Sequence, residues 1–505
     1  MYDITETTVP YPVRSLFPLV LTTIAVAALT ACGGGGDDGP PVVVVEEKRA
    51  QDERNSFVVA PFENYPDYEA GANGGASFKA LAGTDTDRWT GVLGGAGYRV
   101  EVPRNWNGKL VMYAHGYRGT GNSLTVSNPD ALRKYLVDNG YAWAASSYSK
   151  NYYDVRAGVE DTNALANAFA EIARAKGRTL TTPSRIYITG HSMGGHITAA
   201  AIESEALATA NNKVRYSGAV PMCGVTGDMA LFDTFTAMQV AAQTVAGFPD
   251  HPLPRWSEIQ AQVNSKLWVT APGAGAPNPT PVEGERYVAI VKNLTGGERP
   301  LFRLALQGGG SFASAYGTFG GDGTVTGILN KWGTDTTGIT YKIDGDAVNS
   351  AAVNAAAQKI SEAPDANRLR TDGLRWVPQI NGNFKIPVVA IHTLGDLFVP
   401  FNMIQTYRQR VEAAGNGSRL VTRAIRGISH CDFTVSEQVE AFDAMIKWEA
   451  GGAKPGGDDV LTAATVAAPA YGCTYTRTPV PGTDSGTVLF LRNSIATNGG
   501  SCPAP

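Results

Sequence analysis

YITGHSMGGH, residues 187–196, sets an apolar run directly against a serine with glycines on both sides. A G-x-S-x-G run by itself carries little weight in a chain with 58 glycines among 505 residues; chance alone supplies about 0.3 copies at that glycine frequency. Its surroundings give it meaning. RIYIT (185–189) has the composition of a strand, GHSMGG forms a tight turn, and HITAAAIE (196–203) continues as a helix. A strand–turn–helix of this kind holds a serine on tight backbone with its hydroxyl exposed, and glycines at 190 and 194 let strand and helix approach closely. Ser192 then stands at a helix N-terminus, where oriented amides favour negative charge.

Working outward, the same rhythm repeats. YRVEV (98–102) alternates like an exposed edge strand, and KLVMYAHG (109–116), YAWAASSYS (141–149) and YSGAVPMCG (216–224) read as further strands. Between them NPDALRKYLVDNG (128–140) and DTNALANAFAEIARAKG (161–177) have helical spacing. After a gap the rhythm resumes with IPVVAIHTLGD (386–396), a helix at NMIQTYRQRVEAAG (402–415), a strand at RLVTRAIRG (419–427) and a helix at SEQVEAFDAMIKWEAG (436–451). Alternating strands and helices predict an α/β fold, a mostly parallel sheet covered by helices on both faces. Residues 57–227 and 383–451 form this core. Residues 228–382 show weaker order and read as a large lid or cap insertion. Its aromatic residues, Trp256, Trp268, Phe302, Tyr316, Phe319 and Trp332, fit either a substrate-facing wall or the insertion's own core. Residues 452–505 are a Gly- and Pro-rich C-terminal extension.

Composition narrows the classes. Hydrophobic residues make up 43% and charged residues 17%, with a net charge of -4. This describes a folded chain with a large core rather than a disordered one, and no basic run points to nucleic acid. At the start, SLFPLVLTTIAVAAL (15–29) follows Arg14 and is too short to span a membrane comfortably. It ends in LTAC, residues 29–32. That run resembles the lipobox of bacterial lipoproteins. The resemblance implies a signal peptide over 1–31, a lipid anchor on Cys32 and a flexible tether over 32–56. An outer-membrane lipoprotein, periplasmic or at the cell surface, is then expected; the alternative is an ordinary cleaved signal peptide and secretion. Asp3 and Glu6 make the first residues unusually acidic for such a leader. Four more cysteines, Cys223, Cys431, Cys473 and Cys502, suggest two disulfides in an exported chain, with three possible connectivities. None of their spacings suits zinc, and no dense carboxylate loop suits calcium, so neither metal nor cofactor is expected.

The strand–Ser192–helix turn resembles the nucleophile elbow of the α/β-hydrolase superfamily, and the chain resembles that superfamily from about residue 97 to 450, the insertion aside. The superfamily's chain order is serine, acid, histidine. Of six histidines, only His430, in GISHCDFT, follows the last core strand. The acid implied is Asp396, in HTLGDLFVP, 34 residues before His430; Asp228, just after the preceding strand, is its rival. The resemblance implies oxyanion donors from the amides of Met193 and of Tyr117, the latter in the run HGYRG (115–119). Cys431 directly after the histidine is similar to tannase and bacterial feruloyl esterases, which bridge such a cysteine to one beside the nucleophile. Here His191 occupies that second position, so the resemblance is partial. Cys223 is the substitute partner, which leaves Cys473 and Cys502 to staple the extension.

These features together predict an exported serine hydrolase that splits carboxylic esters through an acyl-enzyme. Small-molecule or polymeric esters are the expected partners, with aromatic and polymer-derived esters among the candidates. Amide or peptide cleavage by the same residues is an alternative, as is a surface binding protein that has kept the fold without the chemistry.

Overall fold

A computed structural model describes residues 56–71, 75–325 and 327–502. The leader over 1–31, Cys32 and the tether up to residue 55 lie outside the described residues.

Eight strands form one central sheet: β1 (Thr86–Leu93), β2 (Ala96–Pro103), β3 (Lys109–Ala114), β4 (Ala142–Ser146), β5 (Arg185–His191), β6 (Gly218–Met222), β7 (Val388–Thr393) and β8 (Leu420–Ile425). Their order across the sheet is β1-β2-β4-β3-β5-β6-β7-β8. β2 runs antiparallel to both its neighbours, and every other pair is parallel. This is the α/β-hydrolase fold. The helices that matter below are α1 (Asp130–Asp138), α2 (Val155–Ala175), α3 (Met193–Ala201), α4 (Ala230–Ala246), α5 (Glu283–Leu294), α6 (Phe302–Gln307), α7 (Phe312–Tyr316), α8 (Asn402–Ala413), α9 (Val435–Glu449) and α10 (Gly486–Thr497).

Period-two alternation assigns the two faces of the sheet. Leu110, Met112 and Ala114 of β3 join a core with Phe169 of α2 and Ile197 of α3. Val111 and Tyr113, the residues between, join a second core with Leu132 of α1 and Phe442 of α9. Both faces are therefore covered, which is why β3 to β8 are nearly continuous apolar runs. Each fully buried Leu, Val or Phe contributes roughly 1.5–3 kcal/mol.

β2 differs from its expected place at an exposed edge. It is buried along its whole length, because β1 lies outside it and takes the edge. The polar residues that mimic an exposed face are paired inside. Glu101 bonds Arg133 Nε at 2.7 Å, Trp143 Nε1 at 2.7 Å and the Thr86 hydroxyl at 2.8 Å. Arg99 holds Asp67 through two bonds of 2.7 and 2.8 Å.

The chain between β6 and β7 is more regular than its sequence suggests. It contains α4 to α7, and α4 is buried on most of its sides, which erases the one-sided periodicity that marks a surface helix. Trp256 packs against Tyr316 and Phe319 with ring centroids 5.9 and 5.3 Å apart, and Trp268 lies 6.0 Å from Tyr316. Most of the region's aromatic rings thus form its own core. Beyond β8, the 452–502 stretch carries α10, capped by the Ser485 side chain. Among the described residues no helix is long and apolar enough to cross a membrane.

Removing one partner of the Glu101–Arg133 pair strands a charge in the core. Glu101→Ala is expected to lower unfolding free energy by about 3–5 kcal/mol, read from the urea midpoint and slope.

Candidate active site

β5 ends at His191, and Ser192 turns the chain into α3 with φ 60° and ψ -123°. A non-glycine residue in this region costs of order 1–3 kcal/mol and persists only where its surroundings enforce it. Here the Ser192 amide donates to the Met222 carbonyl of β6 at 3.1 Å. A Cβ on Gly190 would stand 2.5 Å from the Ala114 carbonyl oxygen, and one on Gly194 would meet the same oxygen more closely. Only glycines at 190 and 194 let the elbow sit this near β3.

Ser192, His430 and Asp396 lie in one hydrogen-bonded series. His430 Nε2 is 2.8 Å from Ser192 Oγ, and His430 Nδ1 is 2.6 Å from Asp396 Oδ2. Asp396 is 0% exposed. Burial by itself would raise its pKa, but the charge and hydrogen bond of His430, with the Val399 amide, hold it below the usual carboxylate range. Its Oδ1 accepts the amides of Phe398 and Val399 at 3.0 and 2.9 Å. A carboxylate kept ionised in this way favours the tautomer with the proton on Nδ1 and leaves Nε2 to accept the serine proton. Asp228 is engaged elsewhere. Both its oxygens are held, by Arg410 at 2.6 Å and by the amides of Ile380 and Met229.

The turn carrying His430 is braced from several sides. Cys431 forms a disulfide with Cys223, with Cα atoms 5.3 Å apart, and Cys473 pairs with Cys502. The Thr393 hydroxyl of β7 donates to the Ser429 carbonyl at 3.0 Å. Asp432 accepts the Ile428 amide and is itself held by Arg492 of α10 at 3.3 Å. The Phe398 ring meets the imidazole edge-on at 5.5 Å. Cys223, His430 and Cys431 also bring three metal-type ligand atoms together, but both sulfurs are spent in the disulfide, so this donor set does not suit a metal.

The other histidines are committed elsewhere. His191 lies between Tyr113 and Gln438, and burial pushes its pKa down to about 4. His115 stacks on Tyr148 at 4.1 Å, also buried and driven to about 4. His196 joins the Tyr153 hydroxyl to the Pro378 carbonyl. His392 bonds the Val399 carbonyl, and His251 the Arg255 carbonyl. Of the two residues expected to supply oxyanion donors, Met193 opens α3, where a first-turn amide has no acceptor within the helix. Tyr117 follows Gly116, whose Cα faces the elbow so closely that a Cβ there would lie 3.2 Å from the Ser192 Cβ.

Ser192 opens onto a cavity of about 450 Å³. Tyr117, Tyr153, Phe232, Phe235, Trp332 and Phe398 supply its aromatic lining, with Gln239, Asp322 and Thr334 among its polar groups. Much of this wall comes from the chain between β6 and β7. Tyr153 and Phe398 escaped the sequence reading, although Phe398 is two residues from Asp396 in the same quoted run.

No family model matches the chain. A stretch of 113 residues is 26% identical to o-phthalyl amidase of Xanthobacter agilis, covering 22% of this chain and 23% of that protein. The chain thus spans about a quarter of the length of the curated relative it matches. Feruloyl esterase B from Aspergillus oryzae is similar in structure at 14% identity, over 77% of this chain and 85% of that one, with a TM-score of 0.40. A Pyrococcus horikoshii acylaminoacyl peptidase aligns at 11% identity over 75% of this chain and 43% of that one, with a TM-score of 0.35.

The Cys223–Cys431 link closes a loop of 208 residues. Replacing both cysteines by serine is expected to cost about 2–5 kcal/mol. Denaturation of variant and parent, each with and without reductant, checks this: the parent should lose stability on reduction by more than the variant does.

Proposed function

We propose that this α/β-fold hydrolase cleaves carboxylic esters, with Ser192 as nucleophile, His430 as general base and acid, and Asp396 as the group that orients the imidazole. The observation that carries this reading is the continuous series Ser192 Oγ, His430 and Asp396 at 2.8 and 2.6 Å. His430 Nε2 takes the serine proton as Oγ attacks the carbonyl carbon. The oxyanion that forms is met by the amides of Met193 and Tyr117. His430 returns the proton to the departing alcohol, leaving an acyl group on Ser192. Water, deprotonated by the same nitrogen, then releases the acid and restores the serine. The strained elbow supports this reading, because it holds the Ser192 backbone at the mouth of the cavity that the residue lines.

The aromatic lining favours a compact acyl group with a flat apolar part, and aromatic or polymer-derived esters are the proposed substrates. We assign residues 228–382 to a cap that shapes this cavity. The two disulfides favour an oxidising compartment, and a lipid anchor on Cys32 would hold the enzyme at the outer membrane. Amide cleavage is the second reading, kept by the local likeness to an amidase.

A fluorophosphonate should label Ser192 in folded protein, and a chain that resists labelling would be a binding protein instead. Ser192→Ala should lower kcat on the order of a million-fold with the unfolding midpoint unchanged. Asp396→Asn should cost about ten thousand-fold, while Asp228→Asn should leave kcat near the parent value. The reverse ranking of the two aspartates would sink the acid assignment. Para-nitrophenyl esters of graded acyl size, aromatic esters and an anilide, run side by side, separate ester from amide preference.

A further inference from the structure

We infer that Ser311, supplied by the chain between β6 and β7, is a positioning residue that fixes the Asp396 carboxylate against His430. The inference rests on the proposed roles of Ser192, His430 and Asp396.

Ser311 stands at the N-cap of α7, where a serine hydroxyl ordinarily accepts from an amide of its own helix. No such capping bond forms here. The hydroxyl turns the other way. It accepts the amides of Leu397 at 3.0 Å and Phe398 at 3.1 Å, and it donates to Asp396 Oδ1 at 3.2 Å. With its lone pairs taken by two N–H groups, its own hydrogen is left for the carboxylate. The approach depends on the glycine turn just before it. A Cβ on Gly310 would overlap the carbonyl oxygens of Ala305 and Ile428, the second of which belongs to the histidine turn. The same region reaches the acid loop again through Arg299, buried, whose Nε donates to the Leu394 carbonyl at 2.7 Å.

Asp396 Oδ1 therefore receives three donors, while Oδ2 faces His430. This arrangement fixes the rotation of the carboxylate and spreads its charge. Without the Ser311 proton, more negative charge falls on Oδ2 and the imidazolium is better stabilised, so the apparent pKa governing the acid limb of kcat/KM rises. The other titratable and charged groups facing this pair are Arg299 from the same region, His392 on β7, Asp432 on the histidine turn and His191 on β5. None of them is changed by substitution at 311.

The test is the pH profile of kcat/KM on a para-nitrophenyl ester for the parent, Ser311→Ala, Ser311→Gly and Ser311→Thr, with unfolding midpoints and fluorophosphonate labelling measured in parallel. Ser311→Ala and Ser311→Gly should move the acid limb upward by about half a pH unit and lower kcat about tenfold, with KM little altered. Ser311→Thr, which keeps the hydroxyl, should stay near the parent profile. Variants that lose stability yet keep the parent acid limb would reduce Ser311 to a packing role and overturn the inference. A parent chain that resists the fluorophosphonate overturns both readings and is told apart by its unmodified Ser192.

Discussion

The contact on which the site depends is the approach of α3 to β3 across the elbow. Ser192 occupies a backbone conformation that side-chain-bearing residues rarely adopt, and nothing local to the serine favours it. What enforces it is the absence of side chains at Gly190 and Gly194, which lets the turn rest on the Ala114 carbonyl, and the amide bond from Ser192 to Met222. Strain of a few kcal/mol is tolerable because the surrounding sheet buries far more apolar surface than that. The serine's backbone is thereby fixed by the sheet rather than by any local preference of its own.

His430 and Asp396 obey a different logic. They sit on loops after β8 and β7, and loops hold side chains poorly unless something restrains them. Restraint comes from four directions: the disulfide to Cys223, the Thr393 hydroxyl, Arg492 of α10, and the Ser311 turn. Two of these come from outside the α/β core. The segments that look dispensable in a fold diagram, the stretch between β6 and β7 and the tail after α9, both touch the histidine–carboxylate pair or the turn that carries it.

Much of the sheet was legible in the sequence. β3 to β8 are runs of buried apolar residues with turn signals at their ends, and the fold brings Ser192, Asp396 and His430, which follow β5, β7 and β8, into one hydrogen-bonded series. β1 was not legible. TDRWTGVL mixes polar and apolar residues without clean alternation, since its Arg88 and Thr90 side chains are spent on the Phe78 and Ala76 carbonyls, although the strand pairs with β2 as a tight hairpin turning at Gly94 and Gly95. β2 was misplaced for a related reason: Arg99 and Glu101 look outward-facing until their partners Asp67 and Arg133 are known. α4 hid behind uniform burial. Ser311 offered no signal beyond a glycine run before it, since its whole significance is a contact with a residue 85 positions away. Local patterns report what a residue does to its neighbours in sequence. They are silent on buried polar pairs, whose partners are set by the finished fold.

Arg492 reaches back sixty residues to Asp432 and also holds Glu437 at 3.0 Å. A polypeptide threaded out of a ribosome or an export channel offers its segments in order. The imidazole turn must therefore wait, already made but unclamped, until the guanidinium that secures it has followed. The last clamp on the turn is thus delivered by the tail, after every strand of the central sheet has already emerged.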